Sequence, residues 1–290
     1  MNVKRREKMT TATKNNFGFG CNPIIKKMYN KAGTATNAET ATYKGVATKT
    51  AFFLLMAVAG FAVFFVLHMV LGRTGNPELV YNINDIFHVN MFVTEAAVAG
   101  MALVVSVLAP LFAWFFRSAI PVVGTFYALC EGYTIGFLTG MLAPQYQWIS
   151  VAALVITILV VGAMLFLYAK RIIKVGHKFR AVVTTVFITM ILCSLLTTVL
   201  YMIPFTRAFI DPIFTFMGNP LISIGLSLVY LIVACLFLLV DFSVIEECIE
   251  RGISARFEWM AAFGLAYTII YIYFRVLELI LKAVAMTKKS

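Results

Sequence analysis

Charge is what this sequence has least of. Only 13% of its residues are Asp, Glu, Lys or Arg, and 61% are hydrophobic. A soluble domain is charged at about a quarter of its positions. The mean hydropathy is +0.91. These values exclude an ordinary soluble protein, although the length alone would suit two soluble domains. Cysteine is also scarce. Cys21, Cys130, Cys193, Cys235 and Cys248 form no CxxC spacing, which excludes a disulfide framework and leaves small buried hydrophobes. His68, His88 and His177 fall in separate segments without metal-ligand spacing. There is no His-Glu-x-x-His, Gly-x-Gly-Asp or Gly-x-Ser-x-Gly, so the chain is not read as an enzyme and no cofactor is expected.

What the chain has is long apolar runs. Several exceed the ~20 residues that cross a bilayer as a helix. None shows the alternating pattern of an outer-membrane barrel. The spans predicted are Thr50–Leu71, Met91–Phe116, Ala119–Leu142, Trp148–Tyr168, Ala181–Ile203, Pro220–Asp241 and Glu258–Leu281. The expected fold is therefore an all-α membrane protein with seven transmembrane helices over residues 50–283. A basic, mostly disordered cytoplasmic tail (1–49) precedes them and a short tail (284–290) follows.

The net charge of +11 is distributed for a membrane rather than for nucleic acid. Residues 1–49 hold ten of the 24 Lys and Arg, and Lys170–Arg180 holds five more. With the N-terminus inside, the inner segments carry 18 basic residues and the outer loops only Arg73 and Arg207. No small-residue cleavage site follows the first apolar residues, so the first span is expected to be uncleaved. The bilayer is the expected partner, with the tail drawn to an anionic inner leaflet.

Polar residues inside the spans are the functional candidates. Gly124, Ala128, Gly132, Gly136 and Gly140 recur every four residues in the third span, a stripe that lets a neighbouring helix approach closely. Glu131 lies beside it near the membrane midplane, as a structural group or one that serves ion or proton passage. Glu95 lies near the outer end of its span, where water reaches it, and ranks lower. Pro110 is expected to bend that span. The acidic stretch Glu246, Glu247, Glu250 is read as a solvated loop. In the last span Tyr267, Tyr271, Arg275, Glu278 and Lys282 fall on one face. A face with arginine and glutamate costs a few kcal/mol per charge against lipid, so this helix is expected to be enclosed.

Several stretches together resemble the Bax inhibitor family (transmembrane Bax inhibitor motif proteins), in particular its longer bacterial branch. They are Asn22-Pro23, Thr42-Tyr-Lys-Gly-Val-Ala-Thr-Lys-Thr50, Tyr127-Ala-Leu-Cys-Glu131-Gly132 and Leu167-Tyr-Ala-Lys-Arg-Ile-Ile-Lys-Val175. To these add Val240-Asp241-Phe242 with Ile245-Glu246, and Phe257-Glu258-Trp259-Met-Ala-Ala-Phe-Gly264-Leu265. The resemblance implies seven helices, the last surrounded by the other six, and a pH-sensitive calcium leak. It also implies links to suppression of cell death and to control of a membrane protease.

In that family a pair of carboxylates on the sixth and seventh helices senses pH. Asp241 matches the first acid. The second position falls on Arg275, with Glu278 one turn later, so the acid–arginine order of the long bacterial branch is exchanged here. A carboxylate facing an arginine is held ionised, which turns the expected dyad into a salt-bridge latch. Arg117 matches a family arginine that helps close the pore. If the sixth helix turns at Gly252, however, Asp241 stands level with Tyr267 and Arg275 lies about 12 Å further along.

The function expected is a pH-sensitive calcium (cation) leak channel gated by Asp241, Arg275 and Glu278. Glu131, Tyr267, Tyr271 and Arg117 line the path or support it, and calcium is held transiently at Asp241 and Glu278. The alternative is a non-transporting regulator that binds a membrane protease or another membrane complex. The protein is expected in the bacterial plasma membrane as a monomer.

Overall fold

The computed structural model describes residues 40–82, 86–173, 175–203, 205–206, 211, 215 and 218–287. Residues 1–39, which include most of the basic tail and Asn22-Pro23, lie outside the described residues. Each long apolar run forms a helix, because only intrasegment hydrogen bonds can satisfy a backbone away from water. In chain order these are α1 (Tyr43–Thr74), α2 (Val93–Phe115), α3 (Ile120–Gly140), α4 (Trp148–Ala169), α5 (His177–Met202), α6 (Pro220–Glu250) and α7 (Phe257–Thr287). Five of them, α1, α2, α4, α5 and α6, are long and apolar enough to cross a membrane by length and composition.

Local chemistry sets the helix ends. The Thr42 hydroxyl caps α1 by accepting from the Gly45 N–H at 3.0 Å. Asn219 caps α6 through the Leu221 N–H at 3.2 Å, with Pro220 in the first turn. At the other end of α6 the chain reverses through Gly252, whose φ of 65° suits a residue without a side chain. Helix α1 begins at Tyr43, ahead of its apolar run, and α7 continues to Thr287.

Two features differ from the sequence reading. The α1–α2 connection contains an antiparallel hairpin, β1 (Leu79–Asn82) with β2 (His88–Met91), pairing Leu79 with Met91 and Asn82 with His88. It lies against the α3–α4 connection through the His88 N–H to Met141 carbonyl bond (2.9 Å) and the Ala143 N–H to Ile86 carbonyl bond (2.8 Å). The acidic stretch Glu246–Glu250 is the last part of α6 and not a loop.

Apolar side chains alone do not hold helices together in lipid, so close packing must. The glycine stripe of α3 meets α1. A side chain at Gly132 would strike the Ala57 carbonyl, and one at Gly60 of α1 would strike the Leu129 carbonyl. Side chains at Gly124 and Gly136 would come within 2.7 Å of Phe53 and 2.8 Å of Phe64. The outward faces of α1, α2, α4 and α5 expose Leu55, Met101, Leu159 and Leu192 among many large apolar residues. Helix α7 exposes almost nothing: of its 31 residues only Ala283 and Thr287 are exposed. It packs against α1, α3, α4 and α6.

Candidate functional site

The polar groups of the bundle are ranged along α7 in three tiers. At its first turn Glu258 is buried and receives three donors from the start of α1. These are the Thr42 N–H at 2.8 Å, the Thr42 hydroxyl at 3.1 Å and the Lys49 ammonium. Lys49 also lies over the Trp259 ring, 5.2 Å from its centroid. Gly45 completes the fit, since any side chain there would overlap the Glu258 carboxylate. The chain just before is tied to the α6–α7 turn by the Ala41 N–H to Ile253 carbonyl bond at 2.7 Å. Thr42, Gly45 and Lys49, three positions of the Thr42–Thr50 motif, thus converge on Glu258 of the Phe257–Leu265 motif.

About 15 Å along the helix axis comes the middle tier. Thr268 donates to Asp241 of α6 at 2.7 Å. No lysine or arginine pairs with Asp241 among the described residues. One residue earlier Tyr267 turns toward α3, where its ring stands 5.7 Å from that of Tyr127. Beyond it, Tyr127 and Ser106 of α2 face the Glu131 carboxyl. Asp241 and Glu131 therefore flank α7 at one level, on its α6 and α3 sides.

The third tier is ionic. Arg275 donates to Glu278 at 2.7 Å and is sandwiched by the rings of Tyr230 (4.4 Å) and Tyr271 (4.8 Å). The other Glu278 oxygen accepts from Lys282 at 2.5 Å and from the buried Ser227 hydroxyl at 3.1 Å. Lys282 also reaches Ser227 at 2.7 Å.

The structure thus brings Arg275, Glu278 and Tyr271 together and keeps Asp241 apart from them. The reversal at Gly252 sets the register, placing Asp241 beside Thr268, seven residues and about 10 Å short of Arg275. A direct Asp241–Arg275 latch is absent for that reason. Arg117 lies half-buried in the short turn after α2, without an ion pair among the described residues.

Three side chains stand otherwise than the sequence reading has them. Glu95 is fully buried, not open to water. It accepts from its own cap, the Phe92 N–H at 3.0 Å, and lies 2.9 Å from His68 Nδ1 of α1. Glu246 and Glu247 are half-buried and paired instead of standing free in solvent. Glu246 receives the Tyr168 hydroxyl and lies 3.5 Å from Arg171, while Glu247 pairs with Arg180 and Arg251. Arg180 also donates to the Ser243 hydroxyl at 2.6 Å. The residue overlooked is Glu258. A readable hint is that Thr42, Gly45 and Lys49 share one helical face, but their partner more than 200 positions away is beyond any local pattern.

Apolar exteriors, a last helix with almost no exposed residues and charges arranged along it define a helical integral membrane protein. The chain belongs to the Bax inhibitor 1 like family, whose model matches residues 22–285. No curated protein and no solved structure matches it.

Proposed function

We propose that the protein is a pH-sensitive cation leak, with calcium as its ion, in which α7 is surrounded by the other six helices and carries the control groups. The observation that carries this reading is the middle tier. Asp241 sits in the bundle with one neutral donor, Thr268, and no cationic partner among the described residues. A carboxyl group so placed changes charge when it gains or loses a proton, with nothing nearby to cancel the change. Carboxylate and hydroxyl oxygens are also the ligands that a hard cation takes. The first and third tiers act as ties at the two ends of α7. Both Glu278 oxygens are occupied by cations, so Glu278 belongs to an ionic latch and calcium contact falls to Asp241.

In this reading the N-terminus and the basic 170–180 segment face the cytoplasm of a bacterium, as the charge asymmetry favours. The protein acts as a monomer and catalyses no reaction. The regulator reading keeps less support, because the glycine stripe is consumed by α1 and Glu246 and Glu247 are engaged by Tyr168, Arg171, Arg180 and Arg251, which leaves Glu250 as the exposed acid of that stretch.

The test is calcium flux in liposomes holding the purified protein, across acid to alkaline pH. Asp241→Asn, which keeps the shape and removes the titration, should hold flux at its acid value throughout. A variant whose pH profile overlays the parent's would sink the assignment.

A further inference from the structure

Helix α2 contains Pro110. Proline has no N–H, so the carbonyl of Ser106, four residues back, loses its helical donor. The hydroxyl of the same residue is buried and has no hydrogen-bond partner. Ser106 therefore offers two oxygens that the helix does not use. Its hydroxyl faces the Glu131 carboxyl without closing a hydrogen bond to it. Tyr127, itself buried, faces the same carboxyl, and Tyr267 of α7 adjoins it. The ion pairs among the described residues involve Glu95, Glu246, Glu247, Glu258 and Glu278, and none neutralises Glu131.

We propose that Ser106, Tyr127, Glu131 and Tyr267 form a binding site for a hard divalent cation between α2, α3 and α7. A carboxyl group in a helical bundle without a cationic side chain is neutralised by a proton or by a bound cation, and the ligands offered here are all oxygen, the kind a hard cation takes. They are fewer than the roughly six to eight that calcium takes, so water completes the shell and the ion is held weakly. Weak holding is what a conducting path requires of each of its stations. Helix breaks that release carbonyls toward an ion are tolerated at membrane depth where the backbone lines such a site. This inference rests on the cation-leak reading for its place on a path, but the site itself is testable without transport.

The probe is terbium(III), an oxygen-seeking ion whose emission is excited through nearby tyrosine, added to the full chain in detergent. Calcium should compete for part of that emission. Glu131→Gln should reduce the calcium-competed emission about tenfold, as expected when the one charged ligand is lost, whereas Glu250→Gln, at the exposed end of α6, should retain it. Ser106→Cys, a near-isosteric change, should let cadmium displace terbium at about tenfold lower concentration than from the parent, because a thiolate prefers the softer metal. Glu131→Gln with undiminished calcium-competed emission, or Ser106→Cys with parental cadmium sensitivity, overturns the site. Parent liposomes without calcium flux above empty vesicles would end the leak reading and leave the site to be decided by the terbium result.

Discussion

Asp241 and Glu258 show how neighbours decide what a carboxylate does. Glu258 is held by three donors, one of them a cation, and acts as a fixed anchor. Asp241 has Thr268, a neutral donor. Removing the cation from the first should be structural in effect. Lys49→Met leaves a buried carboxylate with Thr42 alone, and the loss approaches the roughly 3–5 kcal/mol of breaking a buried pair, reduced by the partial exposure of Lys49. The unfolding midpoint in detergent should fall accordingly, and an unchanged midpoint would remove the anchor role. At the third tier, Arg275→Glu with Glu278→Arg reverses the latch but leaves position 275 about 10 Å along the helix from Asp241, so the flux transition should stay at the parent's pH. A shift toward neutral pH would mean that Asp241 and position 275 respond as one pair.

Among the elements, α1 and α3 are locked together by the absence of side chains. The neighbour of Gly132 is a backbone carbonyl, which cannot rotate away as a side-chain tip can. Gly132→Val should therefore force the helices apart and cost at least the ~1–3 kcal/mol typical of overpacking, seen as a lower unfolding midpoint or loss of a monodisperse peak. Gly162 of α4 has open space beside it, and Gly162→Val should leave both measurements near the parent's. This contact was legible in advance, since a four-residue glycine repeat has few other uses in an apolar helix. The hairpin of β1 and β2 was not, because strands of four residues such as His88–Met91 carry too little alternation to stand out. The helical end of α6 was obscured by its acids, which read as solvated until Arg180, Arg171 and Tyr168 supply their partners.

At the scale of the whole molecule, the apolar runs made the helical class readable, and the tyrosines and charges of the last run made its face readable. Spacing gave the Arg275–Glu278–Lys282 cluster directly, since these residues are neighbours on one helix. Contacts between helices were harder. The level at which Asp241 meets α7 followed from Gly252 and the helical rise, whereas the convergence of Thr42, Gly45 and Lys49 on Glu258 depends on how the first helix docks against the last. What emerges is a bundle stapled at one end of α7 by Glu258 and clasped at the other by Glu278, with two carboxylates between them that lack a cationic partner among the described residues.

The most direct test of that arrangement is calcium flux from liposomes containing the parent protein, followed as pH is stepped from alkaline to acid beside empty vesicles and the Asp241→Asn variant. The account predicts flux above empty vesicles in the parent with a clear pH step, and flux without that step in the variant. A parent that leaks no more than empty vesicles at any pH would contradict it.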